Sequence, residues 1–326
     1  MEETPVDFIR KSTRNLLNLN RRIQRQEDKD VHRSVDSVSL TTEQIKDIAN
    51  RLKSKSLVTT AELHKLKNAL IDDKKNITEV LSTQDSLRGL VRELSGNDVK
   101  RQCAAAGCCC NLALGDYRGC IAVTRAAGSY LVAALDSLTM ELAVTSAWTI
   151  GNLAGSGIRP CQMLRAQGGL TKLIGMLHGN EDVRDAALYA LVHFCYSFKD
   201  NLRVQHIIMM VEALLNLEIT VASAHLLFVL SCHTYFDDKT LPHPLVNKMA
   251  EESVTIIKCR EQNTENQHTL VYLIRSLANT ASVDYKSNII DYFTDVDDYL
   301  QKLLSVGDKF VTDSLLWLLC VLKSNS

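Results

Sequence analysis

Proline and glycine are scarce in this sequence, with 4 prolines and 14 glycines among 326 residues. Folds that need many tight turns, such as β-sandwiches and Greek keys, require more of both residue types. Their scarcity therefore argues against those folds and favours long helices joined by short connections.

Neither sign of charge is in excess, and no long apolar run is present. Lysine and arginine number 37 against 38 aspartates and glutamates, a net charge of −1, which gives no electrostatic case for binding nucleic acid or a membrane surface. The longest weakly polar stretch, Ile219–Cys232, has 14 residues, whereas a membrane helix needs about 20. The acidic start MEETPVDF does not resemble a secretory signal. We therefore expect no membrane span.

The residue patterns of metal and nucleophilic chemistry are missing as well. The 10 cysteines form no CxxC pair, and no cysteine–histidine spacing matches a zinc site. No phosphate-binding glycine loop or nucleophile elbow occurs. Cysteines within apolar runs, such as Cys108, Cys109 and Cys110, are typical of reduced, buried thiols in a cytoplasmic or nuclear protein. We expect no metal, no cofactor and no enzymatic activity.

The sequence does contain an internal repeat of about 42 residues. Helical runs such as TSAWTIGNLAGSG recur, each with a residue at one fixed place near its end. The residues at this place are spaced by 39 to 47 positions and are Asn68, Asn111, Asn152, His193, Cys232, Asn279 and Val321. This period is that of HEAT and armadillo units. We predict an all-α, armadillo/HEAT-type, right-handed superhelical solenoid of about seven repeats over residues 41–326.

Each repeat is predicted to contain a short first helix, a middle helix and a long third helix. The motif Arg-Ala-x-Gly stands before apolar middle segments at residues 125–128 and 165–168, where glycine permits a tight bend between helices. Because one repeat cannot bury its apolar face alone, the third helices are expected to stack and to line a concave face. The charged segment 41–56 is expected to cap the first repeat.

The third helix of the third repeat carries a family likeness. Its run AWTIGNLAG, residues 147–155, closely resembles the corresponding motif of importin-α repeats. The period and the glycine before the middle helix agree with that family, and a shorter, divergent importin-α-like group is named for transmembrane and coiled-coil domains. The resemblance implies a protein-binding adaptor of nuclear import that holds an extended, basic peptide in its concave groove.

The resemblance also implies which residues face the peptide. Asparagine at the fixed place binds the peptide backbone through its amide donor and acceptor, and an aromatic side chain four residues earlier lies along lysine stems. We refer to this earlier position as the aromatic place; here it holds Gly107 in the second repeat and Arg275 in the sixth. The predicted groove residues are Asn111, Trp148, Asn152, Tyr189, His193 and Phe228. Alternatively, the asparagines bond to a neighbouring repeat. The acidic residue of the family before the glycine turn is replaced by Ala126 and Ala166.

Residues 1–40 carry no repeat and form a basic arm and linker. Between Asp7 and Glu27 there is no acidic residue and there are six basic ones, namely Arg10, Lys11, Arg14, Arg21, Arg22 and Arg25. Residues 31–42 are rich in serine and threonine, as is typical of linkers. The resemblance implies that this arm binds importin-β. A solvated, largely disordered tail is an alternative, and attraction to anionic lipid or RNA is a third.

Two functions are consistent with these patterns. The leading one is a nuclear-import-type adaptor with a protein or peptide cargo and importin-β as partners. The alternative is an armadillo scaffold of cytoskeletal, signalling or assembly complexes with no transport role. In both cases we expect a monomer in the cytoplasm or the nucleus, without nucleic acid as a partner.

Overall fold

The computed structural model describes residues 40–198, 201–233, 235–236, 240–259, 263–281, 283–294 and 308–323. This part of the chain forms sixteen α-helices and contains no strand. None of its helices has both the length and the apolar character that crossing a membrane requires. The chain divides into two compact units, of which the first ends at Leu173 and the second begins at Ile174.

The first unit contains three repeats and the start of a fourth. Its helices are α1 (Thr42–Ser54) and α2 (Thr60–Asp72) in the first repeat, α3 (Lys74–Ser82), α4 (Ser86–Leu94) and α5 (Val99–Leu112) in the second, and α6 (Tyr117–Ala134) and α7 (Met140–Gly155) in the third. The fourth repeat begins with α8 (Ile158–Ala166) and α9 (Gly169–Met176). The division between the units falls within α9.

The second unit completes the fourth repeat and contains three more. Its helices are α10 (Glu181–Phe198) in the fourth repeat, α11 (Val204–Leu215) and α12 (Val221–Ser231) in the fifth, α13 (His243–Lys258) and α14 (Thr264–Thr280) in the sixth, and α15 (Val283–Thr294) and α16 (Lys309–Lys323) in the seventh.

Side chains with short polar groups fix where the helices begin. Thr41 accepts a hydrogen bond from the backbone N–H of Gln44, whose side chain accepts one from the N–H of Thr41. Thr59 and Glu62 form the same reciprocal pair at the start of α2. Such caps satisfy N–H groups that have no partner within the helix, and each contributes about 1 kcal/mol.

The third helices stack on one another within each unit. In the first unit α2 packs on α5, and α5 packs on α7; in the second, α10, α12, α14 and α16 pack in that order. The buried side of α5 consists of small side chains, since Ala104, Ala105, Ala106 and Cys108 are each at most 1% exposed. This arrangement confirms the prediction that the third helices of neighbouring repeats stack to build the core.

Basic side chains join the middle helices of neighbouring repeats. The Arg92 guanidinium on α4 donates to the carbonyl of Leu52 at 2.6 Å, near the end of α1. Lys172 on α9 donates in the same way to the Val132 carbonyl of α6 at 3.1 Å. In the second unit Lys248 on α13 donates to the Leu215 carbonyl at 2.9 Å, at the end of α11. A cation therefore satisfies carbonyls at three helix C-termini, where the helix dipole favours positive charge.

One of the two predicted glycine turns is wrong. Gly168 has a φ of +86° and separates α8 from α9, so the turn at 165–168 is confirmed. Residues 125–128, in contrast, lie inside the continuous helix α6. A Cβ at Gly128 would come within 3.1 Å of the Gln167 side chain. Gly128 therefore lies where α6 packs closely against residues in and near α8, and the chain does not change direction there.

Candidate functional site

Two asparagines of the first unit join third helices through their side-chain amides. The Nδ2 of Asn111 on α5 donates to the backbone carbonyl of Lys67 on α2 at 2.8 Å. The Nδ2 of Asn152 on α7 donates to the carbonyl of Cys110 on α5 at 3.3 Å. In both cases the acceptor directly precedes the fixed place of the previous repeat, so the bond recurs with the repeat.

Asn279 on α14 makes the equivalent bond in the second unit. Its Nδ2 lies 2.8 Å from the Ser231 hydroxyl oxygen on α12 and 3.6 Å from the sulfur of Cys232. Ser231 in turn donates to the carbonyl of Phe228 at 2.7 Å. The alternative role predicted for these asparagines, a bond to the neighbouring repeat, is therefore confirmed in three repeats.

These bonds use the donor of the amide and leave its acceptor available in two of the repeats. Within the described residues, neither the Oδ1 of Asn111 nor that of Asn279 accepts a hydrogen bond, and the half-buried side chain of Asn68 makes none. The donor fixes the orientation of the amide, so the carbonyl oxygen is held in place beforehand. Such an oxygen can accept a hydrogen bond from the backbone N–H of a peptide.

Trp148 lies one helical turn before Asn152 on α7 and remains half-buried. Its neighbours Ala147 and Thr149 are fully buried, so the indole lies at the border between the core and the surface of the third helices. A large, partly exposed ring beside a fixed amide offers apolar contact area and a cation–π face to a ligand. Trp148 and the predicted groove residues Asn111 and Asn152 are thus brought onto neighbouring helices of one unit.

A lysine fills the aromatic place of the second repeat. A Cβ added to Gly107 would lie 2.6 Å from the Cδ atom of Lys67, so the aliphatic stem of Lys67 crosses α5 where other repeats carry a ring. Lys67 is half-buried and, among the described residues, forms no ion pair. The stem therefore packs on the helix while the ammonium adds positive charge to this face.

Two of the three predicted groove residues of the second unit, His193 and Phe228, are deeply buried, and the third, Tyr189, is not. Tyr189 is half-buried and meets His193 edge to face, with ring centroids 4.5 Å apart. His193 and Phe228 are each 1% exposed, and the ring of Phe228 stacks on Tyr272 at 5.8 Å. Phe228 therefore has a core position between α12 and α14, whereas Tyr189 retains exposed surface.

Arg275 holds the aromatic place of the sixth repeat, and the sequence alone gave it no role. Its Nε donates to the hydroxyl of Ser314 on α16 at 3.0 Å, and Ser314 donates to the Phe310 carbonyl at 2.6 Å. Burial lowers the pKa of Arg275, while the acidic side chains of Tyr272 and Asp313 oppose that effect. The repeat pattern of the sequence shows that a charged residue occupies the aromatic place of the sixth repeat, but it does not show that Ser314 is its partner.

The thiols in the core are unsuited to chemistry. Burial raises the pKa of Cys109 to about 12 and that of Cys103 to about 11, and it raises the pKa of Cys108 and Cys195 further. A thiol with such a pKa stays protonated and is a poor nucleophile and metal ligand. In the described part of the chain, no group of three metal-ligating side chains comes together.

The predicted basic arm lies outside the described residues. This applies to all of its basic side chains, Arg10, Lys11, Arg14, Arg21, Arg22 and Arg25. Binding of importin-β by this segment therefore stays a prediction.

Comparison with known proteins shows a likeness of fold without one of sequence. No family model matches the chain, and no curated protein matches it. The solved structure of an engineered protein is 22% identical with a TM-score of 0.71, and the match covers 86% of this chain and 69% of that protein. A designed armadillo repeat protein is 17% identical with a TM-score of 0.50, covering 86% of this chain and 100% of the design. The predicted fold, an all-α protein of armadillo-type repeats, is thereby confirmed.

Proposed function

We propose that this protein is a binding scaffold that holds an extended segment of a partner protein along its third helices. The observation that carries the proposal is the recurring asparagine. Its Nδ2 bonds to the previous repeat in both units, and the Oδ1 of Asn111 and Asn279 is held ready to accept. A hydrogen-bond acceptor that returns once per repeat suits a ligand whose own donors return at a regular interval, as they do in an extended peptide.

The spacing of the repeats supports this choice. Packed helices lie roughly 8–10 Å apart, and an extended chain rises about 3.3 Å per residue, so one repeat corresponds to about two to three peptide residues. Trp148 then supplies apolar contact area between successive backbone bonds. Neighbouring repeats of one unit together offer more binding energy than a single amide, whose net contribution is about 1 kcal/mol.

Peptide selection with a matched pair of variants tests this function. A phage-displayed library of random linear peptides is selected on the full chain, and enriched peptides are titrated against Trp148→Ala and Tyr130→Ala. Tyr130 is an exposed aromatic residue, 43% exposed, on α6 instead of a third helix. Losing the buried part of an indole should weaken binding about tenfold or more for Trp148→Ala, and Tyr130→Ala should bind as wild type. An absence of enriched peptides, or equal losses in both variants, would contradict the proposal.

The nuclear-import role is a narrower form of the same proposal, and the basic arm is its support. In that form, residues 10–25 bind importin-β and the third helices carry the cargo. Deletion of residues 1–30 tests it: capture of importin-β should fall to background, and peptide binding by the third helices should persist. If the full chain does not capture importin-β, the scaffold without a transport role is the remaining form. In either form we expect the protein in the cytoplasm or the nucleus.

A further inference from the structure

The guanidinium of Arg275 has much of its hydrogen-bonding capacity unused. Its Nε donates to Ser314, but among the described residues neither of its Nη atoms donates a hydrogen bond, and no carboxylate forms an ion pair with it. Arg275 is nevertheless half-buried. A charge that has lost part of its hydration without forming an ion pair is costly to maintain. An incoming anion would therefore find a donor that needs little further desolvation.

Ser314 fixes the direction of this guanidinium. Its hydroxyl accepts a hydrogen bond from the Nε–H of Arg275 and donates one to the Phe310 carbonyl, so the hydroxyl is held in a fixed orientation. Among the described residues, the Nη edge is consequently the part of Arg275 that has no hydrogen-bond partner. A planar fork held at its Nε end is arranged in advance for a bidentate partner.

Two aromatic side chains lie one turn on either side of Ser314. Phe310 is 61% exposed and precedes Ser314 by four residues, while the half-buried Trp317 follows it by three. Residues at these intervals share one face of a helix. Arg275 therefore projects toward a face of α16 that offers apolar area, and it adds the cationic Nη edge of its own side chain to that face. Exposed aromatic residues beside an arginine are typical of sites that bind partners.

We propose that the face formed by α14 and α16 binds an acidic segment of the partner protein, with an aspartate or glutamate carboxylate on the Nη edge of Arg275. This inference rests on the proposed function, since it names the chemistry of the peptide that the second unit takes. It departs from the basic peptide that the importin-α resemblance implies. The aromatic place of the sixth repeat carries the same sign of charge as a lysine side chain and repels it.

A carboxylate fits this site better than a phosphate does. Arg275 is a single cation, and the nearby Asp313 carboxylate already acts on it electrostatically. Sites for doubly charged phosphate groups usually combine several basic side chains. One guanidinium with the Asp313 carboxylate in its surroundings matches a ligand group with a single negative charge.

The same peptide selection separates this inference from the function on which it rests. The random library is selected in parallel on the full wild-type chain and on Arg275→Met, which keeps most of the side-chain stem. Peptides enriched on wild type should be rich in aspartate and glutamate, and this bias should vanish on Arg275→Met. Synthetic peptides with each acid replaced by its amide should bind wild type about tenfold or more weakly. Arg203→Met, at an exposed arginine just before α11, should behave as wild type.

Folding of the variant is checked by its thermal midpoint. Among the described residues Arg275 forms no ion pair, so Arg275→Met, which loses only the Nε bond to Ser314, should shift the midpoint little. A large drop in the midpoint would instead assign Arg275 a structural role and overturn the proposal. Enriched peptides without an acidic bias, or with equal affinity for Arg275→Met, would overturn this inference and leave the proposed function standing. If no peptides are enriched at all, the proposed function itself fails.

Discussion

The imidazole of His225 stacks on the phenol ring of Tyr272, with ring centroids 4.4 Å apart and planes 7° from parallel. The two residues hold the same place in successive repeats, on α12 and α14 of the second unit. Within the described residues the Nε2 atom of His225 has no hydrogen-bond partner. Burial lowers the pKa of His225 from 6.5 to about 3, so the stack requires the neutral ring.

Mild acid should therefore destabilise the second unit. The unfolded chain binds a proton at His225 with a pKa near 6.5, whereas the folded chain resists it until about pH 3. The contribution of neutral His225 to the free energy of unfolding is thus fully present above pH 6.5. It is lost by about 1.4 kcal/mol per pH unit as the pH falls from 6.5 toward 3. Urea unfolding at several pH values should show a loss of about 2 kcal/mol from this residue by pH 5.

His225→Phe is the control for this pH dependence. It keeps a ring against Tyr272 and removes a buried nitrogen without a partner, so at neutral pH it should be no less stable than wild type. Its advantage over wild type should grow as the pH falls. Parallel pH profiles for the two proteins would show that His225 does not cause the acid sensitivity.

Two glycines of the first unit should respond oppositely to alanine. A Cβ on Gly89 would lie 2.5 Å from the backbone oxygen of Leu52, whereas one on Gly107 would meet the flexible Lys67 side chain. Gly89→Ala should therefore lower the free energy of unfolding by about 1–3 kcal/mol through overpacking. Gly107→Ala should leave it unchanged or raise it by up to about 1 kcal/mol, because the lysine stem can move and alanine favours the helix. Urea midpoints compare the pair; similar losses in both would contradict this account.

The bond between Asn111 and the Lys67 carbonyl should be measurable as stability. Asn111→Ala should reduce the free energy of unfolding by about 1 kcal/mol. Asn111→Asp should lose more at neutral pH, because a buried carboxylate cannot donate and faces a carbonyl. In acid the protonated carboxyl can donate, so the difference between the two variants should narrow. A constant difference across pH would argue against the inter-repeat bond.

The first unit should lose stability in a more acidic window through Glu62. The Arg51 guanidinium lies 2.6 Å from this carboxylate, and the N–H and hydroxyl of Thr59 each donate to it at 2.8 Å. These bonds lower the pKa of Glu62 from 4.5 to about 2. The contribution of these bonds to the free energy of unfolding is present above pH 4.5 and is lost as the pH falls toward 2. In urea unfolding, wild type should have a higher midpoint than Glu62→Gln above pH 4.5, and this difference should disappear toward pH 2. Glu43→Gln, at an exposed position on α1, is the control and should have the midpoint of wild type at every pH.

The repeat architecture was predictable because similar helical segments recur in the sequence at intervals of about 42 residues. Apolar residues at helical spacing and a fixed polar place locate the third helices, and the structure stacks them in the predicted order within each unit. The turn at Gly168 was predictable for the same reason, since it recurs as a motif. The identical motif at residues 125–128 failed because glycine serves close packing there, and local sequence does not distinguish the two uses.

The chemistry of the third-helix faces depends on contacts between residues about 40 positions apart. Nothing local in the sequence reveals that Lys67 crosses Gly107 or that Ser314 holds Arg275. The asparagines were located correctly, but their bond to the previous repeat could be stated only as one of two alternatives. Phe228 illustrates the same limit, because an aromatic residue at the correct interval can face the core as readily as a ligand.

The three basic side chains that donate to helix C-termini also affect how the chain folds during its synthesis. The carbonyl of Leu52 has no donor until Arg92, 40 residues later in the chain, has been synthesised. Lys172 and Lys248 likewise donate to carbonyls of helices that precede them in the chain. At typical translation rates this delay is about 2 to 8 seconds. The first, third and fifth repeats therefore each remain frayed at one helix end on the ribosome until the following repeat has been synthesised, and each gains stability at that point.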